Sequence, residues 1–312
     1  MQIIRGTYNL KPVHRGCVAT IGNFDGVHLG HQAVLGQLAE QAEKLCLPLT
    51  VVTFEPQPQE YFRPEQAPPR LTRFREKVQA LRRYAVDRVV ALRFNRAFSQ
   101  QSPEAFIRRL LVDGLGVKYL VIGDDFRFGK DRAGDFAQLQ AAGRRHGFEV
   151  VNMHTFVLDG KRVSSTRVRS ALAEGDLNAA EKLLGRIYRM SGRVAHGDKK
   201  GRTIGFPTAN IHLHRINTPL RGVFAVQLFG LEGEPLCGVA NLGTRPTVGG
   251  MKTLLEVHLF DFEGDIYGRH VHVNFLHWLR DERRFDSFDA LRAQIGRDAE
   301  QARQFFARGQ KF

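Results

Sequence analysis

The chain has 312 residues, enough for two domains with separate cores, and its 43% hydrophobic and 25% charged residues argue against bulk disorder. No apolar run approaches the ~20 residues of a spanning helix, and Met1-Gln-Ile-Ile-Arg5 lacks a signal-peptide pattern, so no membrane association is expected. The formal charge of +14 (46 Lys and Arg against 32 Asp and Glu) invites a nucleic-acid reading, but the basic residues are spread along the chain without zinc-finger, RNP or basic-zipper patterns. The expectation is a solvated basic surface that attracts small anions such as nucleotides, with no nucleic-acid partner.

In chain order, Cys17-Val-Ala-Thr-Ile21 reads as a buried strand, and apolar residues at helical spacing (Val34, Leu35, Leu38, Ala42, Leu45) predict a helix from His31 to about Leu45. Leu49–Phe54 is a second strand, followed by a Pro-rich loop through Pro69. Then come a helix from Phe74 to about Tyr84, a strand Arg88–Leu92, a helix Pro103–Val112, a strand Tyr119–Ile122, a helix Phe136–Gly147 and a strand Glu149–Met153. This alternation predicts a doubly wound, mainly parallel sheet. The three cysteines, Cys17, Cys46 and Cys237, are odd in number and far apart, which points to a reducing cytoplasm rather than a disulfide framework or zinc cluster.

After a helix Leu177–Leu184 the texture changes. Short strand-like runs (Tyr188–Val194, Val223–Phe229, Leu236–Leu242, Thr253–Leu259, His270–Phe275) recur between Gly, Pro and Asn residues and predict a small β-barrel. A helical pattern closes the chain over Phe288–Phe306. The expected division is 1–186 and 187–312.

The first candidate site is Gly22-Asn-Phe-Asp-Gly-Val-His-Leu-Gly-His31, where a strand runs directly into a helix. A helix N-terminus offers unpaired N–H groups and a positive dipole end to phosphates. Gly22, Gly26 and Gly30 permit close backbone approach. His28 and His31 can donate hydrogen bonds, or charge, to a phosphorus centre. No Gly-Lys-Ser/Thr ending marks a Walker motif, and no further His or Cys nearby completes a zinc site. The bland alternative is that both histidines cap or pack the helix. Arg162-Val-Ser-Ser-Thr-Arg-Val-Arg169 adds hydroxyls and guanidinium groups at a second helix start, although Ser and Thr are also ordinary caps.

These segments resemble the nucleotidyltransferase superfamily with the His-x-Gly-His signature, with Val163 where the family usually has Ile. Gly123-Asp-Asp-Phe-Arg-Phe-Gly129 is similar to a loop of bacterial FMN adenylyltransferases. In the second half, His196-Gly-Asp-Lys-Lys-Gly-Arg-Thr-Ile-Gly-Phe-Pro-Thr-Ala-Asn210 is Gly-rich and basic. It ends in a Thr hydroxyl and an Asn carbonyl, hard oxygen donors suited to Mg²⁺, although a surface hairpin loop would have the same composition. Glu256 alternates with Leu255 and Val257, so its carboxylate should leave the opposite strand face, either to take a proton from a hydroxyl or to form a surface ion pair. Gly238-Val-Ala-Asn-Leu-Gly-Thr-Arg-Pro-Thr-Val-Gly-Gly250 and Leu255–Asp261 resemble riboflavin kinase, and so does Phe275–Phe285.

Together the halves resemble the bifunctional bacterial riboflavin kinase/FAD synthetases over essentially the whole chain. The resemblance implies two reactions: ATP phosphorylates riboflavin to FMN in the C-terminal half, and a second ATP adenylylates FMN to FAD in the N-terminal half. It implies Glu256 as general base, and Thr208 and Asn210 as Mg²⁺ ligands. Gly201, Gly205, Pro207, Thr208, Asn210, Asn241, Arg245 and Arg280 would bind ATP and flavin there. For the other site it implies His28 and His31 as catalytic, with Gly22, Asn23, Phe24, Asp25, Gly30, Asp125, Arg162, Ser165, Thr166 and Arg169 binding ATP or FMN. Flavin is expected on the aromatic surface from Phe54 to Phe62, residues that could equally be core. A monofunctional transferase and a non-catalytic flavin- or nucleic-acid-binding protein are the alternatives.

Overall fold

The computed structural model describes residues 1–123, 125–153, 155–196, 205–215, 217–247 and 250–308, the side chains of 245–247 and 250–252 excepted. The chain divides into two compact units, Met1–Pro68 with Phe74–Ser164, and Pro69–Arg73 with Ser165–Phe312.

The first unit is built on a parallel sheet of β1 (Gln2–Arg5), β2 (Cys17–Ile21), β3 (Leu49–Phe54), β4 (Arg88–Leu92), β5 (Val117–Gly123) and β6 (Glu149–Met153), in the order β1-β4-β3-β2-β5-β6. Every residue of β2 and β3 is buried, which explains their unbroken apolar runs. Alternate residues serve two cores. Cys17, Ala19, Ile21, Val52 and Ile122 face one, covered by Phe106, Leu110, Leu111 and Leu139. Val18, Val51, Val89 and Val121 face the other, covered by Leu35, Leu38, Val78 and Leu81. The helices are α1 (Leu29–Leu45), α2 (Pro58–Phe62), α3 (Phe74–Leu81), α4 (Arg96–Ser99), α5 (Pro103–Phe106) and α6 (Phe136–His146). The predicted helix from Pro103 starts on a Ser102 cap and changes to π-helical turns over Ile107–Gly114. α6 ends on Gly147 at φ 74°, a left-handed position that glycine adopts without strain.

Because β3 and β5 flank β2 on opposite sides, the strand order reverses at β2. In open α/β sheets such a reversal opens a ligand crevice at the carboxyl ends of the strands. The Gly22–His31 turn leaves β2 at that end.

The second unit begins with α7 (Ser165–Ala173) and α8 (Leu177–Leu184), followed by a closed antiparallel barrel and α9 (Phe288–Ala307). The barrel strands are β9 (Arg189–Ala195), β10 (Ala209–His212), β11 (Gly222–Phe229), β12 (Leu236–Thr247), β13 (Gly250–Leu259) and β14 (His270–Arg280), in the order β10-β13-β12-β11-β14-β9. β9 pairs back onto β10, which closes the edges. The strands β7 (Val157–Leu158) and β8 (Lys161–Arg162) form a separate hairpin in the first unit. Ala299 and Ala302 of α9 pack with Val223, Ala225 and Val239 of the barrel. The segment Pro69–Arg73 is held by this unit: Arg169 donates to the Pro69 carbonyl (2.7 Å), Arg215 to that of Arg70 (2.7 Å) and Tyr188 to that of Leu71 (3.2 Å).

Cys17, Cys46 and Cys237 are all free thiols. Burial within β2 pushes the Cys17 thiol up to about 11, whereas Cys46 is exposed at the end of α1. Since the thiolate is the nucleophile, iodoacetamide at pH 8 is expected to label Cys46 in the folded protein and Cys17 only after denaturation, as read by peptide mass spectrometry. Among the described residues no helix is long and apolar enough to cross a membrane.

Candidate functional site

Each half of the chain carries one polar site. In the first, the chain leaves β2 through Gly22 and turns back to start α1 at Leu29. The turn is conformationally demanding: Gly26 has φ 84°, and the non-glycine residues Phe24 and Val27 have φ 47° and 44°. Left-handed non-glycine residues persist only where their surroundings hold them. Several contacts do so. The Phe24 ring is buried, with its centroid 4.8 Å from that of His31. The Gln32 amide donates to the Val27 carbonyl at 2.9 Å, and the Thr53 hydroxyl donates to the Asn23 carbonyl at 3.3 Å.

His28 is itself the N-cap of α1: its Nδ1 accepts from the His31 backbone N–H at 3.4 Å. The bland expectation that a histidine caps this helix is therefore met, and it has a chemical consequence. With Nδ1 accepting, the proton of a neutral imidazole sits on Nε2, which becomes a donor. The two imidazoles stack at 3.7 Å and 19°. A Cβ at Gly30 would lie 3.2 Å from the His28 ring and 3.3 Å from the Val163 carbonyl oxygen, so the absent side chain makes room for that ring. Asp25 is buried and Asn23 exposed.

Asp125 and Arg162, widely separated in sequence, lie 3.5 Å apart as a solvent-exposed pair. Ser165 and Thr166 open α7 and Arg169 lies at its middle, and this helix groups with the second unit. Phe54, the start of the expected aromatic surface, is buried and packs on Phe94 and Phe98 (5.8 Å to each centroid). Tyr61 and Phe62 are exposed and contact Phe94 at 5.6 and 5.5 Å. The structure thus divides that stretch into a core end and an exposed end.

In the second site, barrel register does what sequence spacing cannot. Asn210 of β10 pairs with Glu256 of β13, Glu256 with Asn241 of β12, Asn241 with Val223 of β11, and Val223 with Arg280 of β14. Directly paired residues on neighbouring strands share a face, so four expected site residues fall in one row across five strands. Leu255 and Val257 are buried while Glu256 is partly exposed, as the alternation predicts. Thr208, Val223, Asn241, Glu256 and Arg280 line a cavity of about 330 Å³, walled on its apolar side by Phe206, Phe285, Phe288 and Leu291. An apolar slot beside a polar row suits a ligand with a flat ring and a polar tail.

Residues that the sequence reading did not single out complete this cavity. Arg280 is clamped by Asp298 of α9, with Nε–Oδ1 at 2.9 Å and Nη2–Oδ2 at 2.7 Å, and Gln294 donates to the same carboxylate at 2.7 Å. The Glu282 carboxyl is held above its usual range by burial and by the Glu256 charge, against the opposing pull of Asn241, Arg221 and Arg280. A Cβ at Gly243 would overlap that carboxylate, which accounts for glycine at this position of β12. His258 Nδ1 bonds to the Pro207 carbonyl at 2.9 Å, and since the carbonyl can only accept, Nδ1 carries the proton. Gly205 has φ 83° and is exposed. Gly201 and the side chain of Arg245 lie outside the described residues.

Asp298 is 2% exposed, so Asp298→Ala would strand a mostly buried guanidinium. The expected loss is about 3 kcal/mol of unfolding free energy, by analogy with other broken buried pairs, measurable by denaturant titration.

Comparison with known proteins matches the two halves of the chain to two different families. A family profile described as FAD synthetase matches residues 10–167, and one described as riboflavin kinase matches 184–306. A protein of Haemophilus influenzae named bifunctional riboflavin kinase/FMN adenylyltransferase is 54% identical, covering 98% of this chain and 99% of its own. One of the same name from Escherichia coli K12 is 53% identical, covering 98% of each. A crystal structure described as a macrolide-efflux protein from Streptococcus pneumoniae superposes with a TM-score of 0.81 at 31% identity, over 96% of this chain and 98% of that one.

Proposed function

Because the chain belongs to the bifunctional riboflavin kinase/FMN adenylyltransferase family, we infer that its two polar sites carry the two successive steps of FAD formation, one in each half. Riboflavin and ATP give FMN and ADP; FMN and a second ATP give FAD and pyrophosphate. We place the division of labour at residues 1–186 and 187–312, beyond the end of the FAD synthetase match at 167 and within three residues of the start of the riboflavin kinase match at 184.

The observation that carries the kinase assignment is the Asn210–Glu256–Asn241 row beside an apolar slot. In our reading the slot takes the isoalloxazine ring and leaves the ribityl 5′-hydroxyl at the polar row. Glu256 accepts the proton as that oxygen attacks the γ-phosphorus, and the bond to the β-phosphate oxygen breaks to release ADP. Arg280, fixed by Asp298, supplies positive charge on the far side of the row. Thr208 and Asn210 offer neutral oxygen donors, which fit Mg²⁺ when ATP phosphates provide the balancing charge. Bound there, Mg²⁺ would neutralise charge on the transferring phosphoryl group.

For adenylyl transfer the nucleophile is a phosphate monoester, already an oxyanion at neutral pH, so no strong base is needed. Position and charge neutralisation dominate. The first N–H groups of α1, the Nε2 donor of His28 and the stacked His31 serve the phosphates at the strand-order reversal. The family resemblance adds Ser165, Thr166 and Arg169 as phosphate-binding hydroxyls and charge, and Asp125 and Arg162 for FMN or the nucleotide. Tyr61 and Phe62 offer exposed aromatic surface to the flavin. The ligands are small molecules (riboflavin, FMN and ATP), and a cytoplasmic location, where ATP is supplied, suits both reactions.

One incubation with riboflavin, ATP and Mg²⁺, resolved by chromatography, tests the assignment. FMN should form first and FAD follow. Flavin that binds but stays unmodified would reduce the protein to a carrier, and accumulation of FMN alone would reduce it to a kinase.

A further inference from the structure

Lys77 is fully buried, with 0% of its surface exposed. A lysine inside a folded unit is unusual, because desolvating an ammonium group is costly unless fixed polar groups receive it. It lies on α3, the helix that also carries Phe74, Val78 and Leu81 of the core on the sheet face that α1 covers. An aliphatic side chain would serve packing there equally well. The question is what the amine does.

Its Nζ lies 3.4 Å from the hydroxyl of Thr53, itself fully buried near the carboxyl end of β3. That hydroxyl has one proton and gives it to the Asn23 carbonyl at 3.3 Å. The polarity of the chain is thereby settled: ammonium N–H to hydroxyl oxygen, hydroxyl O–H to peptide carbonyl. A donor that itself accepts from a cation is a stronger donor. The receiving carbonyl belongs to the second residue of the Gly22–His31 turn, immediately before the strained Phe24. At the other end of the turn, Gln32 holds the Val27 carbonyl. The two side-chain bonds bracket the segment with left-handed non-glycine residues, and β3 and α1 supply rigid anchors for them.

We propose that Lys77 is a positioning residue for adenylyl transfer, acting through Thr53 to hold the Asn23 end of the phosphate-facing turn in its working conformation. The proposal rests on the assignment of adenylyl transfer to the His28–His31 site. It requires no contact between Lys77 and substrate, and it gives the buried amine a task that packing does not.

The test uses the full-length protein and both of its activities, with riboflavin phosphorylation as the internal control. Thr53→Val removes the relay while keeping the shape of the side chain, and Thr53→Ser restores the hydroxyl. Lys77→Met removes the cation and keeps the length. At saturating FMN and ATP, Thr53→Val and Lys77→Met should each lower the adenylylation kcat by about 10-fold or more, the scale expected for a small misplacement of reacting groups. The double variant should be no worse than the weaker single one, Thr53→Ser should recover most of the rate, and riboflavin phosphorylation should stay at the wild-type level. Wild-type adenylylation in Thr53→Val overturns the proposal. So does an equal fall in both activities tracking a lowered Tm, which is what a merely structural role produces, or a Thr53→Ser variant as slow as Thr53→Val. His28→Ala, assayed in parallel, tests the underlying assignment separately: if it adenylylates normally the site itself is wrong, whatever Lys77 does.

Discussion

Glu256→Ala is expected to lower riboflavin phosphorylation by ~10²–10⁴-fold, the usual contribution of a positioned general base, while adenylylation of supplied FMN continues at the wild-type rate. The carboxylate stands between two asparagines in register and lines the cavity, so its removal deletes the one group of that row able to accept the hydroxyl proton. Leu255 and Val257 keep their places in the core, and a partly exposed strand position tolerates alanine with little loss of stability. Glu256→Gln sharpens the result. It keeps size and hydrogen bonding but cannot take the proton, so it should be nearly as slow as alanine. A glutamine variant close to wild type would mean that Glu256 orients substrate rather than deprotonating it. Measurement of kcat at saturating riboflavin and ATP decides between them.

His28→Ala should do the reverse, lowering FAD formation from FMN by ~10²–10³-fold, as for loss of a donor to developing charge, with FMN formation intact. Alanine also removes the cap of α1, which by itself costs about 1 kcal/mol. His28→Asn separates the two roles, because asparagine is a good N-cap but lacks the imidazole Nε2. The asparagine variant should melt near the wild-type Tm and remain as inactive in adenylylation as alanine. Recovery of activity with the cap would make His28 a structural residue.

The sequence disclosed different parts of this molecule for different physical reasons. β2 and β3 are buried on both faces, so they appear as unbroken apolar runs, and α6 ends on a glycine that must be left-handed. Those elements are local and legible. β1 is an edge strand with only Ile4 buried, and β10 is four residues long inside a Gly- and Pro-rich stretch, so neither has a readable period. His28 and His31 stood out because strand, glycines and histidines are contiguous. The row from Asn210 to Arg280 spans β10 to β14 and exists only through register, which nothing local encodes. Arg280 could be named from the resemblance, but Asp298, which fixes it, sits on α9 and reads as an ordinary surface acid. Lys77 was invisible for a similar reason. Lysine in a helical pattern is read as solvent-facing, and only its complete burial beside Thr53 shows otherwise.

Label transfer separates the two phosphorus chemistries assigned to the two sites. Each single alanine variant is supplied with ATP labelled at the γ- or the α-phosphorus, together with riboflavin or FMN. γ-Label should enter FMN at the wild-type rate with His28→Ala and ~10²–10⁴-fold more slowly with Glu256→Ala, whereas α-label should enter FAD made from FMN at the wild-type rate with Glu256→Ala and ~10²–10³-fold more slowly with His28→Ala. A folded single variant that loses both transfers, or retains both, would contradict that assignment.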